Sequence, residues 1–284
     1  MGAARRLGIA VACIVAILSR TAAAADDECK GPSDDCVAVG KWNFSVALGA
    51  GVRTNPVVNS EDIPLVVVPH VSYYGKRFFW DDLDLGFTLA DSDANTVSLI
   101  ATPGYDRVYF YRTDLQNFFI TGYTSADTAI FSKVPPAAGA PASTVSPTPR
   151  RITYLAGPEW TFKTGTISGQ LDLLHEITGQ NHGDEIRAAL GIPLIEHKGA
   201  LTANVGITWK SAAIVNYYYG VTDIYRGTPA LDPFAKLGYT VPWSGRWRFN
   251  GFVEYERLGS GIANSPIVAE HGVVTVFVGA VRSF

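Results

Sequence analysis

Long apolar runs, methionine and cysteine are all scarce in this chain of 284 residues, which contains one Met and three Cys. Its longest uncharged apolar run is the twelve residues from 7 to 18, whereas a helix that crosses the hydrocarbon core of a bilayer needs about 20. A helical membrane protein is therefore excluded. The 28 glycines also argue against a helix-rich enzyme core.

Charge is scarce as well, since only 17% of the residues are charged and the formal net charge is −3. A nucleic-acid-binding protein would carry a basic excess, so no nucleic-acid partner is expected. The abundant residues are hydrophobic (47%) and aromatic (12%), a composition that excludes intrinsic disorder.

The first 25 residues predict export. Arg5 and Arg6 precede the apolar run, and alanines at 23 and 25 occupy the positions that a signal peptidase reads. We therefore predict a signal peptide over 1–25, an acidic periplasmic segment over 26–41 and the folded part over 42–284.

Two cysteines, Cys29 and Cys36, follow the predicted cleavage site within the acidic segment. In an oxidising compartment they could close a small disulfide loop, and free thiols are the alternative. A metal site is disfavoured because no histidine is nearby and the spacing fits no zinc pattern.

Apolar and polar residues alternate through most of the chain after residue 41. The first segment runs from Trp42 to Val52, with large apolar residues at even positions and small or polar residues between them. The lengths of these period-two segments are close to the 9–11 residues that a tilted strand needs to cross a membrane. Aromatic residues cluster at the ends of the segments, as they do at the two interfaces of a membrane barrel. An antiparallel transmembrane β-barrel is favoured over a soluble β-sandwich, whose strands are shorter.

Connection lengths predict about twelve strands, with ten as the alternative. Short turns are expected in the periplasm and longer loops outside; we place the connection over 90–95 outside, so that the strand over 95–105 runs towards the periplasm. This orientation requires a further strand, predicted at Asn117–Tyr123, before the strand that begins near Arg151. The Ala-, Pro-, Ser- and Thr-rich stretch over 124–150 is predicted to be a long outer loop.

Polar residues on the face opposite the apolar one are candidates to line the lumen. They carry both signs of charge and could pair across the barrel or line a polar path. These candidates are Gln170, Asp172, Arg187, Asn204, Lys210, Lys236, Arg246, Arg248 and Glu254.

Few clusters of residues could catalyse a reaction or bind a metal ion. His182 and Asp184, with Asp172, His175 and Glu176, could suggest a barrel hydrolase, but a solvated loop is the favoured interpretation. Similarly, Asp81, Asp82 and Asp84 could bind a cation, although an acidic turn at the membrane interface is favoured. We predict no enzyme activity, catalytic residues, metal or cofactor.

Several segments resemble the MipA/OmpV family of outer-membrane proteins. They include Leu48–Val52, Pro64–Pro69, Gly179–Gly183 and, most specifically, Asn264–Val268. In such a protein the terminal Phe284 would serve as the signal for the barrel assembly machinery, although Arg282 stands where an aromatic or apolar residue is usual.

The resemblance implies a structural or scaffolding protein in the lipid of the cell outer membrane. Its partners would be peptidoglycan-remodelling enzymes, namely a lytic transglycosylase and a penicillin-binding protein, and the segment 26–41 is the expected contact. The alternatives are a passive pore or uptake barrel for small solutes, suggested by the mixed inward charges, and an adhesin that uses the 124–150 loop.

Overall fold

The computed structural model describes residues 39–111, 150–195 and 199–284. They form one closed barrel of twelve antiparallel strands, in which each strand pairs with the next and the last pairs with the first. This confirms the predicted fold class and strand number. The strands are β1 Trp42–Arg53, β2 Ile63–Tyr74, β3 Phe78–Asp81, β4 Asp84–Ser92, β5 Asn95–Pro103, β6 Tyr154–Thr164, β7 Ile167–Glu176, β8 Asp184–Ile195, β9 Ala200–Lys210, β10 Ala230–Ser244, β11 Trp247–Arg257 and β12 Gly272–Ser283.

Alternation along the strands separates two faces. The outward face carries exposed large hydrophobic residues, as the lipid-facing band of a membrane barrel does. The inward face carries buried polar residues. Outward examples are Leu48, Phe87, Leu99, Leu190, Val205, Leu237, Val253 and Val276, and inward examples are Ser98, Thr102, Asp172, Arg187, Asn250 and Thr275.

Helices are few and short. The described residues contain a 3₁₀ helix at Tyr105–Tyr109, helix α1 at Ala212–Tyr219 and helix α2 at Ser260–Ala263. None of the helices in these ranges is long and apolar enough to span a membrane.

The barrel closes where β1 meets β12, in a register that runs from Ser45 opposite Ser283 to Arg53 opposite Thr275. The buried ring of Phe277 lies over Gly49 at this seam. A Cβ atom on Gly49 would be 2.7 Å from that ring and 2.2 Å from the carbonyl oxygen of Val278. Glycine is therefore required here because the backbone of the neighbouring strand approaches so closely.

The early strand order differs from the prediction. The sequence analysis missed β3, a strand of only four residues that returns through a tight turn at Asp82 and Leu83. Because β3 adds one reversal, the turn at 93–94 lies on the same side as the other short turns, and β5 runs away from the periplasm. The predictions that this connection lies outside and that β5 runs towards the periplasm were therefore wrong.

Strand β5 pairs directly with β6, from Asn95 opposite Phe162 to Pro103 opposite Tyr154. The two strands are therefore adjacent in the barrel, without the intervening strand that the sequence analysis expected. The segment assigned to that strand, 117–123, lies outside the described residues. So do the predicted signal peptide, residues 26–38 of the acidic segment, both Cys29 and Cys36, and all of the 124–150 loop except Arg150.

At the C-terminus, the amide of Phe284 donates a hydrogen bond to the carbonyl of Phe44, 2.9 Å away, which holds the end of the chain against β1. The guanidinium of Arg282 lies 5.6 Å from the ring centre of Trp247 and 5.2 Å from that of Phe284. Such cation–π contacts suit a cation among the aromatic side chains at a membrane interface.

Candidate functional site

Short helices from three outer connections fold inward and fill the outer mouth of the barrel. Helix α1 presents Ile214, Val215, Tyr218 and Tyr219 on one face, with the spacing of an amphipathic helix. These side chains are almost completely buried, and they belong to one core together with residues of the 3₁₀ helix and of α2. We call the 3₁₀ helix, α1 and α2 the plug.

Asp106 of the 3₁₀ helix fastens the plug to the barrel wall. One of its carboxylate oxygens is 2.8 Å from Nζ of Lys210 on β9 and also accepts a hydrogen bond of 2.8 Å from the hydroxyl of Tyr219. Lys210 reaches Asp232 on β10 as well, at 3.1 Å. The buried ammonium group thus joins β9 and β10 to the 3₁₀ helix, and Asp106 joins that helix to α1.

Arg53 makes a second link between wall and plug. Its guanidinium donates a hydrogen bond to the hydroxyl of Tyr109 and lies 4.8 Å from the centre of that ring. It also faces Glu256 on β11 at 3.6 Å. The cation therefore couples β1, β11 and the 3₁₀ helix.

Arg187 on β8 makes the third link. Its Nε is 2.6 Å from a carboxylate oxygen of Glu185, two residues earlier on the same inward face. The guanidinium lies 5.4 Å from the ring centre of Tyr105 and within electrostatic range of Asp172 on β7.

These groups surround a cavity of about 80 Å³ below the plug. Such a space holds several water molecules, and the buried Nε of Arg53 and one terminal nitrogen of Arg187 have no hydrogen-bond partner within the described residues. Water in the cavity would satisfy them. The lining residues are Arg53, Tyr105, Asp106, Glu185, Arg187, Thr208, Lys210, Phe234, Glu254 and Glu256.

We call the charged residues Arg53, Asp106, Glu185, Arg187, Lys210, Asp232 and Glu256 the charged layer. The plug tyrosines next to the charged layer stay neutral. Burial raises the pKa of Tyr219 well above its ordinary value, and the negative charge of Asp106 adds to the effect. Burial likewise raises the pKa of Tyr109. Both phenols therefore act as hydrogen-bonding groups, without the charge that would repel the carboxylates around them.

The predicted lumen residues fall into three groups. Asp172, Arg187, Lys210 and Glu254 are buried in or beside the charged layer. Gln170, Asn204, Lys236 and Arg248 are half-buried on the inward face; the amide of Gln170 donates to Asp172 at 3.0 Å, and the ammonium of Lys236 lies 4.5 Å from the ring centre of Phe252. Arg246 is exposed in the turn between β10 and β11, outside the wall strands.

The cluster that could have suggested a hydrolase does not converge. His175 and Asp184 form an exposed pair at 2.7 Å on the outer rim, while Asp172 is buried in the lumen. The carboxylate of Glu176 instead accepts backbone hydrogen bonds from the loop that follows it, including those of Gln180 at 2.9 Å and His182 at 3.0 Å. Its role is to shape that loop.

Sequence reasoning missed several members of the charged layer. Glu185 could have been found, since it shares the inward face of β8 with Arg187 at a spacing of two. Arg53 and Asp232 lie near strand ends, where the alternation is too short to indicate the direction of the side chain. Asp106 follows β5 in a helical turn, and no sequence pattern indicates that this turn folds into the barrel.

Comparison with known families agrees with this architecture. The family described as MltA-interacting protein MipA matches residues 46–284. The chain belongs to this family.

The relatives of the chain include an MltA-interacting protein and two proteins that are named as outer-membrane proteins. The MltA-interacting protein of Escherichia coli (strain K12) is 21% identical over 241 residues, which cover 82% of this chain and 86% of the relative. The outer membrane protein OmpV of Vibrio cholerae serotype O1 is 33% identical over 114 residues, covering 37% of this chain and 43% of OmpV. This MipA-family chain is thus an outer-membrane β-barrel.

Among solved structures, an outer-membrane channel of Pseudomonas putida F1 is similar with a TM-score of 0.40 and 10% identity, covering 90% of this chain and 100% of the channel. An anion-selective porin of Comamonas acidovorans gives a TM-score of 0.36 and 8% identity, covering 86% of this chain and 99% of the porin.

Proposed function

We propose that this barrel is a non-enzymatic scaffolding protein that docks a peptidoglycan-remodelling enzyme on its periplasmic face. The observation that carries the proposal is the filled outer mouth, where plug residues such as Tyr219 and Ile262 are fully buried and ion pairs fasten the plug to the wall. A barrel built this way is suited to presenting a surface, and the name of the E. coli relative supports a lytic transglycosylase as partner.

Charge on the two rims supports docking from the periplasmic side. Among the described residues, the exposed charged side chains of the periplasmic rim are mostly basic: Lys41, Lys76, Arg77, Lys163, Arg246 and Arg282, against Asp91 and Asp93. The exposed charges of the outer rim are mostly acidic: Glu61, Asp62, Asp184, Asp223 and Glu270, against Arg151, Arg226 and Arg257. A basic rim attracts an acidic surface of a periplasmic enzyme and steers its approach.

The test is capture of a purified lytic transglycosylase, and separately of a penicillin-binding protein, by the barrel in detergent. We expect the unmodified barrel to retain the transglycosylase and Lys76→Glu/Arg77→Glu to lose most of that binding, more so at low ionic strength. The matched control is Arg151→Glu/Arg257→Glu, which reverses two charges on the outer rim and should bind as the parent does.

Deleting residues 27–38 tests whether the acidic segment or the basic rim makes the contact. If the acidic segment makes the contact, as the sequence analysis expected, this deletion abolishes capture and the rim variant does not. Failure of the unmodified barrel to retain either enzyme under mild crosslinking would remove the scaffolding proposal.

The alternative of a passive pore rests on the charged cavity. Planar-bilayer recording decides it, because we expect the purified barrel to give no steady conductance steps while the plug is in place. Reproducible steps from the unmodified protein would favour the pore instead.

A further inference from the structure

Three side chains with metal-ligating atoms meet in the periplasmic half of the lumen. His70 on β2 faces Asp81 at the end of β3 and Asp82 in the turn that follows, and the candidate ligand atoms all lie within 4.8 Å of one another. We infer that His70, Asp81 and Asp82 form a binding site for a divalent transition-metal ion of the Zn²⁺ type. The site is separate from the proposed docking rim and from the charged layer below the plug.

The backbone holds Asp82 in place for this role. Its amide donates to the carbonyl of Val71 at 2.8 Å, and its own carboxylate accepts the Val71 amide at 2.9 Å. Its carbonyl accepts a hydrogen bond from the indole of Trp80. The residue has a φ of +53°, a left-handed conformation that aspartate adopts more readily than most residues. These contacts keep a buried carboxylate beside His70.

Hydrogen bonds within the cluster leave one carboxylate oxygen unused. The His70 side chain is 4% exposed, and its Nδ1 is hydrogen bonded to Asp82 at 3.1 Å, a contact that a bound ion would replace. Oδ1 of Asp81 is shielded from solvent without a hydrogen-bond donor, 3.5 Å from Nδ1 of His70. Buried polar atoms in this state normally have a partner such as water or an ion.

The charges of the cluster also call for a cation. Two carboxylates share one imidazole, so even a protonated His70 would leave a negative charge between them. Arg248 on β11 is within electrostatic range of His70, but in the described part of the chain no ion pair joins its guanidinium to Asp81 or Asp82. A divalent ion held by both carboxylates and a neutral imidazole balances the site without burying a further ammonium or guanidinium group.

The distances fit a coordination shell. Nδ1 of His70 is 3.1 Å from Asp82 and 3.5 Å from Asp81. An ion about 2.1 Å from a nitrogen and an oxygen ligand places those two atoms about 3.0–3.4 Å apart in octahedral or tetrahedral geometry. One imidazole and two carboxylates are a ligand set that suits Zn²⁺ or Mn²⁺, and water would complete the shell.

Tyr74 supports the site from outside the ligand set. Its hydroxyl donates a hydrogen bond of 2.9 Å to the second oxygen of Asp81, which orients the carboxylate as outer partners of metal ligands commonly do. Because the ligands come from β2, β3 and the turn after β3, a bound ion would tie the short β3–β4 hairpin to the long strand β2.

The experiment is calorimetric titration of Zn²⁺ into the full barrel, purified in detergent and stripped with EDTA. We expect one ion per barrel and a higher midpoint of thermal unfolding with Zn²⁺ present. His70→Ala and Asp82→Asn should each abolish this binding, and Tyr74→Phe, which keeps every ligand, should weaken it about tenfold.

His175→Ala is the matched control, since His175 also pairs with an aspartate, at 2.7 Å from Asp184, but on the exposed outer rim. It should bind Zn²⁺ as the parent does. The inference is overturned if the parent binds no Zn²⁺, if His70→Ala binds it equally well, or if His175→Ala loses it. Should His70→Ala fail to fold, the visible absorption of Co²⁺ bound to the parent, and its change in Tyr74→Phe, decides the question.

Discussion

Lys210 on β9 and Asp106 in the 3₁₀ helix lie 2.8 Å apart, nitrogen to carboxylate oxygen, and both side chains are buried. This pair connects the barrel wall to the plug. Removing one partner of a buried ion pair lowers the stability of a protein more than replacing both partners by apolar residues does. The remaining charge then stays buried without compensation.

We therefore expect Lys210→Met to destabilise the barrel by about 3–5 kcal/mol, since the carboxylates of Asp106 and Asp232 would both lose their cation. Urea unfolding in lipid vesicles measures this change. The control is Lys76→Met, which removes the same charge from an exposed periplasmic turn. Equal unfolding midpoints for the two variants would show that the ion pair does not hold the plug.

The charged layer shows what the sequence could and could not predict. Arg187 and Lys210 lie on long strands, so the period-two alternation indicates an inward position for both. Asp106 lies in a connection, and its place in the lumen depends on packing between distant segments that share no local pattern. The four-residue β3 was missed for a related reason, because four residues are too few to show alternation.

His70 illustrates the same limit for the proposed metal site. The sequence indicates the acidic run at Asp81 and Asp82 but gives no reason to join it to a histidine eleven residues earlier. The hairpin register supplies the connection, since Ser72 stands opposite Asp81 and so brings His70 beside the turn.

Glu176 gives a second prediction. One of its carboxylate oxygens accepts the amides of Gln180, Asn181 and His182 at 2.9–3.1 Å, and the other accepts the amide of Thr178 at 2.7 Å. Glu176→Gln removes the charge and replaces one acceptor oxygen by a donor. Because a hydrogen bond to a charged group contributes about 1.5–3 kcal/mol, we expect these amides to exchange with deuterium about tenfold faster or more.

The control for that experiment is Glu270→Gln, which neutralises an exposed carboxylate in another outer loop. Exchange in residues 178–182 should be unchanged in this control. Unchanged exchange in Glu176→Gln as well would mean that the loop is held by other contacts.

The plug tyrosines predict that the stability of the barrel falls at alkaline pH. Burial raises the folded-state pKa of Tyr109 and Tyr219, so the folded barrel keeps these phenols neutral at a pH where an unfolded chain ionises them. The stability that their neutral state contributes is complete below about pH 10, the ordinary tyrosine value, and falls as pH rises towards the raised values.

Tyrosinate absorbance measures this effect when the folded and urea-unfolded barrels are titrated side by side. We expect a late-ionising fraction in the folded barrel only, reduced in Tyr219→Phe. A Tyr219→Phe barrel with the same late fraction as the parent would show that Tyr219 ionises with the bulk of the tyrosines.

The lipid-facing band predicts that a charged substitution destabilises the barrel more when it lies deeper in the bilayer. Val205 is 55% exposed at the centre of β9, and Leu194 is equally exposed, at 55%, near the periplasmic end of β8. A lysine on the lipid face costs about 2–4 kcal/mol at the bilayer midplane and about 0–1 kcal/mol near the interface. Val205→Lys should therefore lower the free energy of unfolding in lipid vesicles by at least about 1 kcal/mol more than Leu194→Lys. Equal costs would mean that the two positions lie at the same depth, and the placement of the end of β8 at the periplasmic interface would be wrong.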